Sequence, residues 1–240
     1  MKITDIKTFI VDAGWRPWMF VKVETDEGIV GWGECSDGKA PHGIEGVIKD
    51  MKPMLLGKDP RAFEMRFQDM YIGTRQSPGG VAAKAIAGLD CAFIDTKAKS
   101  LGISVAELFG GPTRERIRVY WSHCGSSRVR HHDILGTPPI NSWDDVTALG
   151  KEVKARGFTA LKTNIILPGQ NATFGGGSFA GVGTTDQIAP QWLIPHIETL
   201  IGTFRDAVGD DVDINLDLNF HFKTESCLRI AEALEKYNLM

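Results

Sequence analysis

The hydrophobic pattern of the 240-residue chain changes near Arg116, and this change separates two kinds of architecture. Before it, apolar and polar residues alternate in short stretches, and the spacing then becomes helical. Alternation is typical of half-buried strands, whereas a spacing of three to four residues is typical of amphipathic helices. The predicted strands are 2–11, 18–24 and 29–34, and the predicted helices are 44–55, 62–71 and 81–100. We therefore predict an antiparallel meander followed by helices, an α+β domain over residues 1–112.

After the change, strands and helices alternate one by one, which is typical of parallel βα units. The predicted strands are 117–121, 159–165 and 212–219, and the predicted helices are 143–156, 191–208 and 224–236. A complete eight-stranded α/β barrel takes about 250 residues by itself, so this chain is too short to contain one. We predict that residues 113–240 form the first βα units of an α/β domain.

Charge and composition exclude several classes of protein. The chain has 27 Lys and Arg against 30 Asp and Glu and no basic block, so we expect no nucleic-acid partner. It has neither an apolar run long enough for a membrane span nor the apolar core of a signal peptide, so we expect no membrane association and a cytoplasmic location. Its cysteines lie far apart without a C-x-x-C pair, which favours reduced thiols over disulfides or a zinc site. They are Cys35, Cys91, Cys124 and Cys227.

Functional groups in parallel βα architecture gather where the strands end, and two of the predicted strands end in polar residues. Alternation places Asn215, Asp217 and Asn219 on one face of the third strand. Lys162 and Asn164 share a face of the second strand in the same way. An inward carboxylate is costly unless it is paired or binds a cation, and hard divalent cations prefer oxygen ligands. Asp217 is therefore either a metal ligand or one half of a structural ion pair with Lys162.

Two histidines, one arginine and two tryptophans are further candidates for the site. His123 ends the first predicted strand, and His221 lies in the loop after the third. Either can act as acid, base or hydrogen-bond donor near neutral pH, although a lone histidine is also common at the surface or in the core. Trp15 and Trp18 flank Arg16 between the first two strands of the meander, and two indoles beside a guanidinium can cover an anionic ligand. The alternative is that they pack against the neighbouring domain.

The glycine-rich stretch 169–183 is only superficially similar to a nucleotide-binding loop. Residues 175–180 fit G-x-G-x-x-A, but they lie far from the preceding strand and no helix starts directly after them. We therefore reject nucleotide binding and predict a mobile loop over the active face.

Several short motifs occur together and in order along the chain. They are G-I-V-G-W-G-E at 28–34, A-G-L-D-C-A-F-I-D at 87–95, L-F-G-G at 108–111, K-T-N at 162–164 and D-L-N at 217–219. Each motif is weak alone, but the combination is specific and covers essentially the whole chain. In this combination the chain resembles the N-terminal part of the mandelate racemase and muconate-lactonizing branch of the enolase superfamily.

The resemblance implies a fold and a metal site. Family members have an α+β capping domain and a modified (β/α) TIM-type barrel, so the chain would hold the capping domain and the first three βα units, truncated before strand four. They bind Mg²⁺ through carboxylates on strands three, four and five. Asp217 matches the first ligand, and the other two would lie beyond Met240. Lys162 matches the first lysine of the family's Lys-x-Lys motif, but Asn164 replaces the second, which is similar to the galactonate-dehydratase type of sugar-acid dehydratase.

The reaction implied by the resemblance begins with abstraction of the proton α to a carboxylate. Mg²⁺ and Lys162 would stabilise the enediolate, and loss of a β-hydroxyl would give a 2-keto-3-deoxy acid. Such dehydratases carry a histidine where this chain has Asn219, so His221 would have to substitute for it. We expect a hydro-lyase with an acid-sugar substrate, homo-oligomeric at full length, and an inactive 240-residue chain. The alternatives are a racemase or cycloisomerase of the same superfamily, or an incomplete, catalytically inactive fragment.

Overall fold

The computed structural model describes residues 1–38, 40–170, 172–173, 188–219 and 221–240. The chain divides into two compact units, Met1–Arg116 and Ile117–Met240. The predicted division at residues 112 and 113 lies just before this boundary. None of the helices in the described residues combines the length and the apolar character needed to cross a membrane.

The first unit is an α+β domain, as predicted. Its antiparallel sheet has the order β1, β2, β3, with bounds Ile3–Asp12, Pro17–Thr25 and Val30–Glu34. The helices that follow are α1 Pro41–Leu55, α2 Phe63–Gly73, α3 Gly80–Leu101 and α4 Val105–Leu108. Met19, Val21 and Val23 alternate along β2 and are fully buried, because one face of the sheet packs against helices. The alternation of apolar and polar residues that predicted the meander therefore arises because helices cover only one face of this sheet.

Strand β3 lies so close to α3 that only glycine fits at two of its positions. A Cβ on Gly31 would lie 2.0 Å from the carbonyl oxygen of Ala92, and a Cβ on Gly33 would lie 2.0 Å from that of Gly88. Neither distance is sterically possible in a close-packed interior. These glycines of the motif at 28–34 therefore have a packing role.

The second unit is built on two parallel strands. Strand β4, Ala160–Asn164, pairs with β7, Asp213–Asp217, and a short antiparallel pair, β5 Ile166–Leu167 with β6 Ala172–Thr173, follows β4. The helices are α5 Ser126–Leu135, α6 Trp143–Ala155, α7 Leu193–Val208 and α8 Thr224–Leu234, and α8 continues as a 3₁₀ turn, Glu235–Tyr237. Strands β4 and β7 and helices α6, α7 and α8 lie where the sequence pattern predicted strands and helices.

Helices α6 and α7 pack together in the core of this unit. Gly150 of α6 allows the close contact, since a Cβ there would lie 2.6 Å from Ala207 Cβ of α7. Phe204 of α7 is fully buried in the same core as Leu161 of β4 and Ile214 of β7. Because side chains alternate along a strand, the polar residues next to Leu161 and Ile214 are directed to the opposite face of the strand pair.

The prediction of a strand over 117–121 is wrong. Only Trp121 pairs, in a single parallel bridge with Leu161. Ile117 and Val119 are 74% and 63% exposed, and within the described residues no second strand lies beside them. The alternating pattern was real, but a strand also needs a neighbouring backbone for its hydrogen bonds.

One helix of the second unit differs from the sequence-based expectation, and one predicted loop is mostly untested. Helix α5 was not predicted, and its helical geometry is interrupted by a kink at His131, where φ is −140°. The predicted mobile loop over 169–183 lies for the most part outside the described residues.

Candidate active site

The carboxyl ends of β4 and β7 lie side by side and carry the polar residues identified from the strand patterns. In the parallel register, Lys162 lies opposite Asn215 and Asn164 lies opposite Asp217. Parallel strands end at the same edge of a sheet. The polar residues of the two strands therefore form one surface.

Lys162 and Asp217 form an ion pair across the two strands. Lys162 Nζ donates to Asp217 Oδ2 over 3.0 Å, and the two side chains are 21% and 33% exposed. Of the two alternatives left open by the sequence, the ion pair is the one seen here. The ion pair does not exclude a metal-ligand role for Asp217, because an ionised carboxylate has about four acceptor positions and two of them are used here.

The environment of Asp217 keeps its carboxylate ionised. Burial alone would raise the pKa of Asp217. The backbone N–H of Asn219 donates to Oδ1 over 2.9 Å and lowers this pKa. The ammonium group of Lys162 and the nearby His123 also lower the pKa of Asp217. The net result is a pKa below the usual range of an aspartate, so Asp217 carries its negative charge at neutral pH.

Asn164 and Asn219 extend this cluster through side-chain hydrogen bonds. Asn164 is 2% exposed, and its Nδ2 donates to Asn219 Oδ1 over 3.2 Å. The predicted strand was too long here, because β7 ends at Asp217 and Asn219 has a φ of +55°. Asparagine tolerates this left-handed conformation better than most residues. The turn brings Asn219 back to Asp217.

The two candidate histidines lie on separate loops of the second unit. His123 has a φ of +52°, and its Nδ1 lies 3.0 Å from Ser122 Oγ. The ring of His221 lies edge-on to Phe222, with the ring centroids 5.0 Å apart. Their roles as acid, base or donor stay predictions.

Trp15, Arg16 and Trp18 lie around the turn between β1 and β2 in the first unit. The guanidinium carbon of Arg16 lies 4.4 Å from the ring centroid of Trp15 and 6.0 Å from that of Trp18. These are cation–π distances, and all three side chains are exposed. Their role in binding an anionic substrate stays a prediction.

Asp217 fits the role of a single Mg²⁺ ligand, but the described residues do not supply a complete site. Mg²⁺ requires an octahedral set of oxygen ligands, of which carboxylates usually provide one or two. In the part of the chain that the structure describes, no three His, Cys, Asp or Glu residues are grouped so that they could hold a metal. The ammonium group of Lys162 would also compete with a cation for Asp217 Oδ2. A cation at Asp217 therefore needs further oxygen ligands from other sources.

Ser126 belongs to this cluster although no sequence pattern identified it. Its hydroxyl donates to Asn164 Oδ1 over 2.8 Å, and both residues are buried. The two residues are 38 positions apart, and a single serine carries no spacing signal that could connect them.

The structure has an α+β unit followed in the chain by parallel strands with Lys, Asn and Asp at their carboxyl ends, which is the arrangement that the resemblance to the enolase superfamily implies. Comparison with protein families agrees with this class. Residues 5–110 match the family model for the N-terminal domain of mandelate racemase / muconate lactonizing enzyme. Together with the relatives and solved structures described next, this match confirms the resemblance to the N-terminal part of this branch of the enolase superfamily.

Two curated relatives are both named D-galactonate dehydratase. The chain is 40% identical over 238 residues to the protein from Pectobacterium atrosepticum and 32% identical over 238 residues to the protein from Ralstonia nicotianae. Each alignment includes 99% of this chain but 53% of the relative. The chain thus spans about half the length of these curated relatives.

A solved structure from Burkholderia xenovorans strain LB400 is also similar to this chain. That protein is provisionally described as an L-alanine-DL-glutamate epimerase. It is 36% identical, with a TM-score of 0.92 over 100% of this chain and 61% of its own length. A second structure with the same description was solved with magnesium and fumarate, and has a TM-score of 0.91. Proteins that are similar to this chain are therefore described with different reactions.

Proposed function

We propose that the complete gene product containing this chain is a sugar-acid dehydratase. It would remove water from an aldonic acid such as D-galactonate and give a 2-keto-3-deoxy acid. The proposal depends chiefly on the contact of Lys162 with Asp217 beside Asn164, in a chain that is 40% identical to a D-galactonate dehydratase. Because the chain spans about half the length of such relatives, we assign the activity to the complete protein.

Asp217 is proposed as one ligand of a Mg²⁺ ion in that protein. Its lowered pKa and its unused acceptor positions support this role, as does the magnesium found in a related solved structure. When bound, Mg²⁺ would act as a Lewis acid and stabilise negative charge on the substrate carboxylate. The other ligands would come from the length of the relatives that this chain does not cover.

Lys162 and Asn164 are proposed to make proton abstraction one-sided. The ammonium group of Lys162 is a positive charge held at the strand ends, where it would stabilise the charge that develops on the substrate. Asn164 is a neutral amide without a basic lone pair near neutral pH, so it cannot take the α-proton. Unless Lys162 takes this role, the base must come from another part of the complete protein, and we propose a histidine. One-sided abstraction suits elimination better than racemisation.

The remaining candidates are assigned by their chemistry alone. His221 is proposed to protonate the leaving hydroxyl group, since histidine can donate a proton near neutral pH. Asn219 and His123 would hydrogen-bond the substrate. Trp15, Arg16 and Trp18 are proposed as substrate-binding residues, since an arginine held against indole rings suits an anionic sugar. Their exposed positions support this role.

An epimerase or racemase of the same superfamily is the alternative function. The 36% identity to a protein provisionally described as an epimerase favours it. Asn164 disfavours it, because reversible inversion at a carbon is served best by a base on each side.

The complete gene product should be incubated with Mg²⁺ and a panel of aldonic and aldaric acids in deuterated water. We expect 2-keto-3-deoxy acid from at least one aldonic acid. Deuterium at the α-carbon with inverted configuration and no keto acid would instead establish the epimerase alternative. No turnover of any acid by a folded protein would contradict both.

A further inference from the structure

Ser126 is a buried hydroxyl bonded directly into the candidate site. Its side chain is 0% exposed, and it lies in the first turn of α5. Its hydroxyl is 2.8 Å from Asn164 Oδ1, and Asn164 is itself 2% exposed. A hydrogen bond between two buried side chains is costly to break, because each group loses its partner where water cannot replace it.

The turn that carries Ser126 is held against β4 by two further bonds. The N–H of Cys124 donates to the carbonyl of Lys162 over 2.8 Å. The hydroxyl of Thr163 donates to the carbonyl of Cys124, also over 2.8 Å. These two bonds hold the backbone just before Ser126 against β4, on the strand that carries Asn164.

The Ser126 hydroxyl and the amides of Asn164 and Asn219 form one chain of hydrogen bonds with a single direction. Within the described residues, the acceptor of the Ser126 hydroxyl is Asn164 Oδ1. With its oxygen directed to Ser126, the Asn164 amide directs its nitrogen to Asn219, and Nδ2 donates to Asn219 Oδ1 over 3.2 Å. Asn219 Oδ1 accepts this bond, and among the described residues the amide nitrogen of Asn219 makes no hydrogen bond. An amide oxygen accepts hydrogen bonds, whereas an amide nitrogen only donates them, so this orientation changes what the site offers.

We infer that Ser126 is a positioning residue that acts through Asn164 to present the amide nitrogen of Asn219, and not its oxygen, beside Asp217. The strand ends then offer N–H donors from Asn219 and Lys162 next to one carboxylate. Such a set fits the oxygen atoms of an anionic or hydroxylated ligand. The inference concerns side chains within this chain and is independent of the proposed reaction.

The polarity can be tested by NMR on the 240-residue chain. Side-chain amide signals are assigned with Asn164→Asp and Asn219→Asp. In the wild type, hydrogen exchange of the Asn164 amide should be slower than that of Asn219, because Asn164 is the donor between them. Faster exchange of the Asn164 amide than of the Asn219 amide would contradict the assigned direction of the hydrogen bond between them, whatever the variants show.

The role of Ser126 is tested with Ser126→Ala, with Ser126→Thr as the conservative variant and Ser127→Ala as the matched control. Ser126→Ala should speed exchange of the Asn164 amide about tenfold, the effect of losing one hydrogen bond, and should also shift the Asn219 signals. Ser126→Thr keeps the hydroxyl and should give the wild-type exchange rate of the Asn164 amide and the wild-type Asn219 signals. Ser127→Ala should change neither the exchange rate nor the signals. If Thr is too large for this buried position, Asn164→Ala should shift the Asn219 signals as Ser126→Ala does. Unchanged Asn219 signals in a folded Ser126→Ala chain, or equal shifts in Ser127→Ala, would overturn the inference.

Discussion

Lys162 Nζ lies 3.0 Å from Asp217 Oδ2, and this contact joins the ends of two parallel strands that are 55 positions apart in the chain. Each group compensates for the partial burial of the other. Asp217 also accepts the N–H of Asn219, so its charge is held by two donors. A carboxylate held ionised in this way is prepared for a cation or for a ligand that approaches Lys162.

Replacing Lys162 by Met should destabilise the second unit at neutral pH. Met keeps the packing of the lysine stem and removes the charge that pairs with Asp217. We expect a loss of about 1 kcal/mol in the free energy of unfolding, a typical size for a partly exposed ion pair. Urea unfolding measures it, and Lys151→Met on the exposed face of α6 is the control that should change little.

The effect of Lys162→Met should depend on pH in a defined direction. The pKa of Asp217 lies below its usual value in the folded protein, so its ionised form contributes stability above about pH 4. This contribution is lost as the pH falls through the folded-state pKa. The difference between wild type and variant should therefore shrink in acid, and a difference that grows below pH 4 would contradict the assignment.

Replacing Gly33 by Ala should destabilise the first unit. The added Cβ would lie 2.0 Å from the carbonyl oxygen of Gly88, so β3 and α3 must move apart. We expect a cost of about 3 kcal/mol, the upper range for overpacking a core. Gly46→Ala in α1 is the control, since nothing lies within 4 Å of its Cβ and helix propensity predicts a gain of about 0.5–1 kcal/mol. Equal stability of the two variants would show that β3 can move without cost.

Replacing Asp90 by Asn should stabilise the first unit near neutral pH. Burial and the nearby Glu64 raise the pKa of Asp90, and Asp90 Oδ1 has no hydrogen-bond partner among the described residues. Because the pKa of Asp90 is raised in the folded protein, its ionised form lowers the free energy of unfolding at a pH above that pKa. We expect a gain of about 1 kcal/mol at pH 7 that disappears in acid, where Asp90 is protonated in both states. Thermal unfolding across pH measures it, with Asp50→Asn as an exposed control, and a loss at pH 7 would refute the assignment.

Local sequence patterns predicted the helices and strands that have one buried face, because burial of one face leaves a regular spacing of apolar residues. The alternation of β2 and the helical spacing of α3 reflect one buried face each, so both were found from sequence. The stretch 117–121 alternates equally well, but within the described residues only Trp121 pairs with a strand, and no local pattern shows whether a neighbouring backbone is present.

The candidate site was predictable only where strand geometry dictates it. Lys162, Asn164 and Asp217 were grouped because parallel strands end at one edge. Asn219 joins them through a left-handed turn, and Ser126 joins them through a contact across 38 positions. Turns and single long-range contacts depend on the folded backbone, so they leave no period in the sequence.

Whether Asp217 belongs to a dehydratase active site is tested by the rate of 2-keto-3-deoxy acid formation from D-galactonate. The complete gene product is assayed with Mg²⁺ as wild type, as Asp217→Asn and as Asp210→Asn, an exposed control, each checked for folding by circular dichroism. We predict product from the wild type and the control, and a loss of about a thousandfold in Asp217→Asn, the size seen when a group that stabilises transition-state charge is removed. A folded Asp217→Asn enzyme that forms product at the wild-type rate would contradict the assignment.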